Sequence, residues 1–291
     1  MATSSGHLGE QRFPLEERRI ALDSGVTLSV KSRGEGPPVV LLHGFPQNSH
    51  TWRKHLPMLA NAGFRAIAPD MRGYGASDKP KSVSDYAPPR LVDDVSALVR
   101  SLGYEKVHLV GHDWGAVVAF YVAALRPDVV DRLVILNGPH PDAYTRALLK
   151  SQAQRKRSWY VFAFQLPFLP ERVLALKGTL PRLFRLSGPG VFSDDEIDTY
   201  THAIRQPGAA RAMVNYYRAS ARYRGRLPII KRPTLVLWGE KDVALGTGLL
   251  DGLDRYVESF DVQRFPDASH WLPEEKPDEV HSAIVRFLRP S

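Results

Sequence analysis

Val107-His108-Leu109-Val110-Gly111-His112-Asp113-Trp114-Gly115-Ala116-Val117-Val118-Ala119-Phe120-Tyr121 is the stretch on which the fold turns. A branched apolar run ends at Val110, two glycines flank a short polar turn, and an uncharged apolar segment follows. This is strand, sharp turn and buried helix in that order. The turn reads as G-x-S-x-G with aspartate in the serine position. Glycines let the chain bend tightly and hold the central side chain above the end of the sheet. Asp113 is therefore placed like a nucleophile. A glycine turn with an acidic helix-capping residue is common at strand-to-helix junctions, so the flanking chain has to decide.

Working outward, short branched-rich runs recur at Thr27–Lys31, Val39–Leu42, Arg65–Ala68, Arg132–Leu136, Thr234–Trp238 and Asp261–Phe265. Helical patterns at Arg90–Leu102, Ala116–Leu125 and Asp278–Leu288 lie among them. Alternation of this kind predicts an α/β class with a mostly parallel central sheet flanked by helices. The rhythm breaks between about Pro139 and Arg226, where helix-like stretches such as Ala143–Gln154 and Ser193–Arg205 follow one another without a clear strand, and it resumes at Pro233. The expected organisation is a core in two parts, residues 1–138 and 227–291, interrupted by an inserted helical lid over 139–226, with 1–11 as a loose polar tail.

Three further elements stand in the chain order that a nucleophile elbow demands. His43-Gly44-Phe45-Pro46 follows the strand ending at Leu42, where the N–H of Phe45 can join that of Trp114 in an oxyanion hole; Pro46 allows a cis peptide after Phe45. Asp242, in Gly239-Glu240-Lys241-Asp242, follows the strand ending at Trp238 and is the expected acid, with Glu240 its rival. No acid follows the strand ending at Leu136, where Asn137-Gly138 stands instead. His270, in Ala268-Ser269-His270-Trp271 before the last helix, is the expected base.

An aspartate nucleophile narrows the chemistry. A carboxylate is already ionised at neutral pH and can displace at a saturated carbon without help from a base. It leaves an ester whose carbonyl water can attack, whereas a serine would leave an ether. His270, oriented by Asp242, would activate that water. Ordinary serine-esterase chemistry is disfavoured.

Composition excludes several other classes. The chain has 291 residues, 43% of them hydrophobic and 24% charged, as in soluble globular proteins. With no cysteine it has no disulfide, thiol nucleophile or thiolate metal site, which fits a reducing cytoplasm. No apolar segment of signal or spanning length opens the chain, so neither export nor a membrane partner is expected. A net charge of +8 would permit nucleic-acid binding, yet the densest basic run, Arg155–Arg157, is short and no nucleic-acid motif accompanies it, so no such partner is expected. His50 and His55 do not form a zinc pair, and Gly73-Tyr74-Gly75 lacks the dinucleotide spacing; no metal and no cofactor is expected. Pairing of two copies into a homodimer is compatible with the sequence.

His43-Gly44-Phe45-Pro46, Gly111-His112-Asp113-Trp114-Gly115 and Asp70-Met71-Arg72-Gly73-Tyr74-Gly75 together resemble the α/β-hydrolase epoxide hydrolases, over almost everything from Leu22 to Leu288. The resemblance implies an α/β-hydrolase fold, conversion of a small apolar epoxide and water to a vicinal diol, and two lid tyrosines that protonate the opening ring. Trp159-Tyr160-Val161-Phe162-Ala163-Phe164-Gln165-Leu166-Pro167 looks like the first tyrosine segment, with Tyr160 as donor. Asn215-Tyr216-Tyr217-Arg218 looks like the second, with Tyr217 as donor and Tyr216 an alternative. Trp159 and Phe164 are the expected substrate-binding aromatics.

Haloalkane and haloacetate dehalogenases share much of this pattern and stay open as alternatives. Trp114 could hold a halide, and Trp159 could be a second donor, although Phe45 stands where many haloalkane enzymes carry asparagine. Haloacetate enzymes place arginine after the nucleophile, where this chain has Trp114. A non-catalytic receptor on the same scaffold is a third reading.

Overall fold

The computed structural model describes residues 13–289, so the tail expected at 1–11 lies outside them. One sheet is built from eight strands: β1 Glu16–Ala21, β2 Thr27–Arg33, β3 Pro38–Leu42, β4 Arg65–Pro69, β5 Val107–His112, β6 Val130–Leu136, β7 Thr234–Gly239 and β8 Phe260–Phe265. Across the sheet they run β1-β2-β4-β3-β5-β6-β7-β8. β2 pairs antiparallel with β1 and β4, and every other pairing is parallel.

All seven expected strands are present. β1 was not foreseen, because Glu-Glu-Arg-Arg-Ile-Ala has no apolar run; it is an exposed edge strand whose charges discourage pairing with another molecule. β5 and β7 are buried along their whole length, as strands covered on both faces must be.

Helices α1 His55–Asn61, α2 Pro88–Ser101 and α3 Trp114–Leu125 alternate with the early strands. Between β6 and β7 come α4 Pro141–Lys150, α5 Gln152–Arg157, α6 Trp159–Ala163, α7 Leu169–Leu174, α8 Thr179–Ser187, α9 Asp194–Ile204 and α10 Ala209–Arg222; after β8 come α11 Leu272–Glu275 and α12 Pro277–Leu288. The single helix expected over Ala143–Gln154 is two. Ser151 adopts an extended backbone (φ −110°, ψ 113°), and its hydroxyl accepts from the Gln154 N–H to start α5. Among the described residues no helix is long and apolar enough to cross a membrane, and no cluster of His, Asp and Glu could hold a metal ion.

Alternation along the strands divides the core into two layers. Val40, Leu42, Leu109 and Ile135 face α2, α3 and the inserted helices, whereas Val39, Leu41, Val110 and Val134 face α1 and α12. α3 is apolar on all sides, as a helix buried on all sides has to be. From β3 the chain reaches β4 on one flank, and β5 then lies on the other. Between β3 and β5 the connections diverge, which opens a crevice beyond the carboxyl ends of the strands.

Candidate active site

The register of the parallel strands decides what meets in that crevice. Leu42 of β3 is level with Gly111 of β5, His112 with Leu136 of β6, Leu136 with Leu237 of β7, and Gly239 with Phe265 of β8. The residues just beyond these ends, Phe45, Asp113, Asn137, Asp242 and His270, are thereby brought to one level. A slip of one residue would turn each strand's apolar set to the wrong face, so the alignment is fixed by the whole core.

Asp113 sits at the bend with φ 51° and ψ −116°, a conformation that costs a non-glycine residue about 1–3 kcal/mol. The glycines around it are dictated by contact. A Cβ on Gly115 would lie 2.1 Å from the Leu42 carbonyl oxygen, and one on Gly44 would lie 2.4 Å from the Asp113 Cβ. The Phe45 N–H donates to Asp113 Oδ1 at 2.7 Å, and the neighbouring Trp114 amide also favours the carboxylate charge. The Phe45–Pro46 peptide is cis. Asp113 Oδ2 lies 3.6 Å from His270 Nε2, too far for a hydrogen bond, so its lone pairs are not engaged there.

His270 Nδ1 bonds Asp242 Oδ2 at 2.7 Å. Asp242 is fully buried, and its Oδ1 accepts from the N–H groups of Ala244 (2.8 Å) and Leu245 (2.9 Å). Burial alone would raise the Asp242 pKa, but the His270 charge and these bonds hold it below the usual carboxylate range. Burial would likewise lower that of His270, yet the charge and hydrogen bond of Asp242, with Asp113 beyond, raise it to about 9. Burial lifts the Asp113 carboxyl above its ordinary value against the pull of His270 and the two amides. At neutral pH His270 is thereby held as an imidazolium between Asp242 and Asp113. Glu240, the rival acid, pairs with Arg264 instead.

A cavity of about 240 Å³ opens above Asp113, with Trp114, Tyr144, Tyr160, Phe162 and Tyr217 among its walls. Tyr160 comes from α6 and Tyr217 from α10; their rings meet edge-on at 5.9 Å. Burial pushes both phenols well above their ordinary pKa, reinforced by each other or by neighbouring tyrosine and by Asp113, so both keep their protons. The Trp114 indole packs edge-on against the Tyr217 ring, with centroids 4.9 Å apart. Tyr216 points elsewhere: its hydroxyl donates to the Arg72 carbonyl at 2.7 Å in the core. Phe164 packs against Phe45 (5.7 Å) and Tyr217 (4.9 Å), behind the tyrosine rings. Trp159 stands apart, 68% exposed, and touches Tyr160 only edge-on.

Two residues that hold this geometry in place were not picked out by the sequence reading. Asn137, fully buried with φ 36°, donates from Nδ2 to Asp242 Oδ2 (2.9 Å) and to the Gly239 carbonyl (3.0 Å), while its Oδ1 accepts from the Gly239 N–H (2.8 Å). It ties the end of β6 to the acid beyond β7. Arg218, next to Tyr217, donates to the carbonyls of Phe164 and Leu166 and pairs with Glu171, and so locks the second tyrosine segment to the first. Asn after a strand is the one visible hint for the former; for the latter, an arginine beside a tyrosine pair says nothing about what it will reach.

A family model described as the alpha/beta hydrolase fold matches residues 37–277. Epoxide hydrolase 3 of Xenopus tropicalis is 36% identical over 282 residues, covering 92% of this chain and 76% of its own length. Epoxide hydrolase 4 of Homo sapiens is 33% identical over 282 residues, covering 92% and 77%. Among solved structures, the Bacillus megaterium epoxide hydrolase in complex with an inhibitor superposes with a TM-score of 0.86 at 31% identity, covering 93% of this chain and 99% of its own. With the fold, the aspartate elbow and these relatives in agreement, the chain belongs to the epoxide hydrolases of the α/β-hydrolase fold.

Proposed function

We propose that this chain converts neutral, apolar epoxides to vicinal diols through a covalent ester on Asp113, with Tyr160 and Tyr217 of a helical lid as proton donors. The observation that carries the reading is the setting of Asp113: its Oδ1 accepts the Phe45 N–H, Oδ2 lies 3.6 Å from His270 without a hydrogen bond, and its carboxylate lines a cavity that two protonated phenols also line.

Oδ2 attacks one ring carbon, the carbon–oxygen bond breaks, and the ring oxygen takes a proton from a tyrosine. Esterification removes the negative charge on Asp113 that helps to keep His270 protonated. The imidazolium then returns a proton to the tyrosinate and becomes a base. It takes a proton from water, hydroxide adds to the Asp113 carbonyl carbon, and the charge on Oδ1 rests on the Phe45 and Trp114 amides. Collapse breaks the bond between the carbonyl carbon and Oδ2 and passes the hydroxyl proton to the departing diol. The carboxylate, imidazolium and both phenols are restored. Dehalogenation would ask the Trp114 indole to hold a halide, and the two phenols that line the cavity beside that indole favour the epoxide reading.

Single turnover of an aryl epoxide by excess enzyme in heavy-oxygen water tests this. The first diol should take its new oxygen from Asp113 and the label should appear in the enzyme. Label appearing at once in the diol would refute the ester.

A further inference from the structure

Eight of the twelve large apolar side chains exposed among the described residues lie between 159 and 186, on α6, α7, α8 and their connections. Trp159, Phe162, Leu166, Phe168, Leu169, Val173 and Leu176 follow one another within eighteen residues. Isolated exposed apolar residues need no explanation, but such a concentration does. It is not the result of a loose segment. Arg218 fastens the backbone at Phe164 and Leu166 and holds Glu171, so the exposed residues between them are presented by a fixed scaffold. Phe168 is held in the left-handed region at φ 62° with its side chain 74% exposed. Backbone strain that ends by pointing an aromatic ring into solvent is not a packing solution.

Charge selects the occupant. Residues 151–187 carry seven Lys and Arg against one acidic residue, Glu171, whose charge Arg218 already meets. Lys156, Arg172, Lys177 and Arg182 are exposed beside the apolar side chains. Two copies joined through this face would bring like charges together, whereas an anionic surface with an apolar interior matches both components. Phe162 belongs to the face and also to the wall of the cavity above Asp113, so the face is continuous with the site.

We propose that this face docks on an anionic lipid bilayer, with the aromatic and leucine side chains at the headgroup boundary and the basic ones on the lipid charges. Docking of this kind lies on the surface and needs no spanning helix, and among the described residues no helix is long and apolar enough to cross a membrane. Docking would set the cavity rim against the phase in which apolar compounds collect. It stands independently of the roles given to Asp113 and the tyrosines.

The test is co-sedimentation of the full chain with vesicles of phosphatidylglycerol and phosphatidylcholine in equal parts, and with phosphatidylcholine alone, at low salt. Partition onto the anionic vesicles with a blue shift of tryptophan emission is expected, weakened by about tenfold or more in Phe168→Ser/Leu176→Ser and in Lys156→Glu/Arg172→Glu/Lys177→Glu. Turnover of a water-soluble epoxide and the melting temperature should stay unchanged in both variants, which separates lost docking from lost folding. Failure to partition, partition indifferent to either variant, or a solution dimer that the same substitutions dissociate would each overturn the proposal, the last by making the face a contact between copies.

Discussion

Asp113, Asp242 and His270 stand beyond the ends of hydrogen-bonded strands, with Asp113 in the cavity wall, whereas Tyr160 and Tyr217 reach that wall from α6 and α10. Ladder hydrogen bonds and two packed layers fix the lower groups, and none can move without disturbing the sheet. The upper ones are held by ring contacts and by a single arginine reaching between two segments. A site divided in this way can keep the proposed ester chemistry constant while helices alter the shape above it. Selectivity among epoxides should therefore respond to changes in α4, α6 and α10 that leave the strand ends untouched.

The largest effect should come from below. Asp113→Ala should lower kcat by about 10⁴-fold or more, to background, because the proposed nucleophile is gone. His270→Gln separates the half-reactions: Asp113 can still be alkylated, water cannot be activated, and intact-mass spectrometry should find the enzyme heavier by one epoxide. An unmodified enzyme after incubation would mean that the histidine is needed before the ester forms. From above, Tyr160→Phe with Tyr217→Phe should cost about 10²–10⁴-fold in ring opening, with no trapped ester, and each single change much less. Were the double variant to keep its rate, the proton would have to come from elsewhere.

Much of the lower half was legible because chain order and strand ends constrain it. Asp113, Asp242 and His270 follow apolar runs whose positions the sequence marks, and a parallel sheet has few ways to arrange them. Asp242 was preferred to Glu240 on position alone, and the two differ in what they touch: one meets His270, the other Arg264. β1 escaped notice because an edge strand need bury nothing. The upper half was readable only through resemblance, since helix packing leaves no period that says which aromatic turns inward. Tyr216 and Tyr217 are neighbours with opposite fates, and the helical phase that separates them depends on where α10 rests. Ser151 broke an amphipathic pattern that continued across it, because a local hydroxyl cap competes with helical continuation.

Asn137 probes how strongly the sheet holds the acid. Asn137→Ala removes a bond to Asp242 Oδ2 and leaves Gly239 with unmet backbone groups. Asp242 then orients His270 less firmly, and kcat should fall by about 10–100-fold, with ester hydrolysis affected more than its formation. A pH series sharpens the point. The His270 pKa is raised on folding, so its contribution to stability is complete below the unfolded value of 6.5 and is lost as pH climbs through about 9. Melting temperature should decline over that interval in the parent, and less steeply in Asp242→Asn, where the raising charge is gone. Equal slopes would place the titration on another group.

Arg218 offers the mildest break and the most direct one for the contrast. Its guanidinium joins α10 to the carbonyls of Phe164 and Leu166 and to Glu171, yet it touches neither the cavity nor the strands. Arg218→Leu keeps the bulk and removes the donors, so Tyr160 and Tyr217 lose their mutual register while Asp113, Asp242 and His270 keep theirs. Ring opening should slow by about tenfold, since the phenols would meet the epoxide oxygen out of line, and the hydrolysis rate of a preformed ester should not change. Pre-steady-state kinetics resolves the two rates. A variant slowed equally in both would mean that the strand ends feel the helices after all, and the two halves of the site would have to be treated as one.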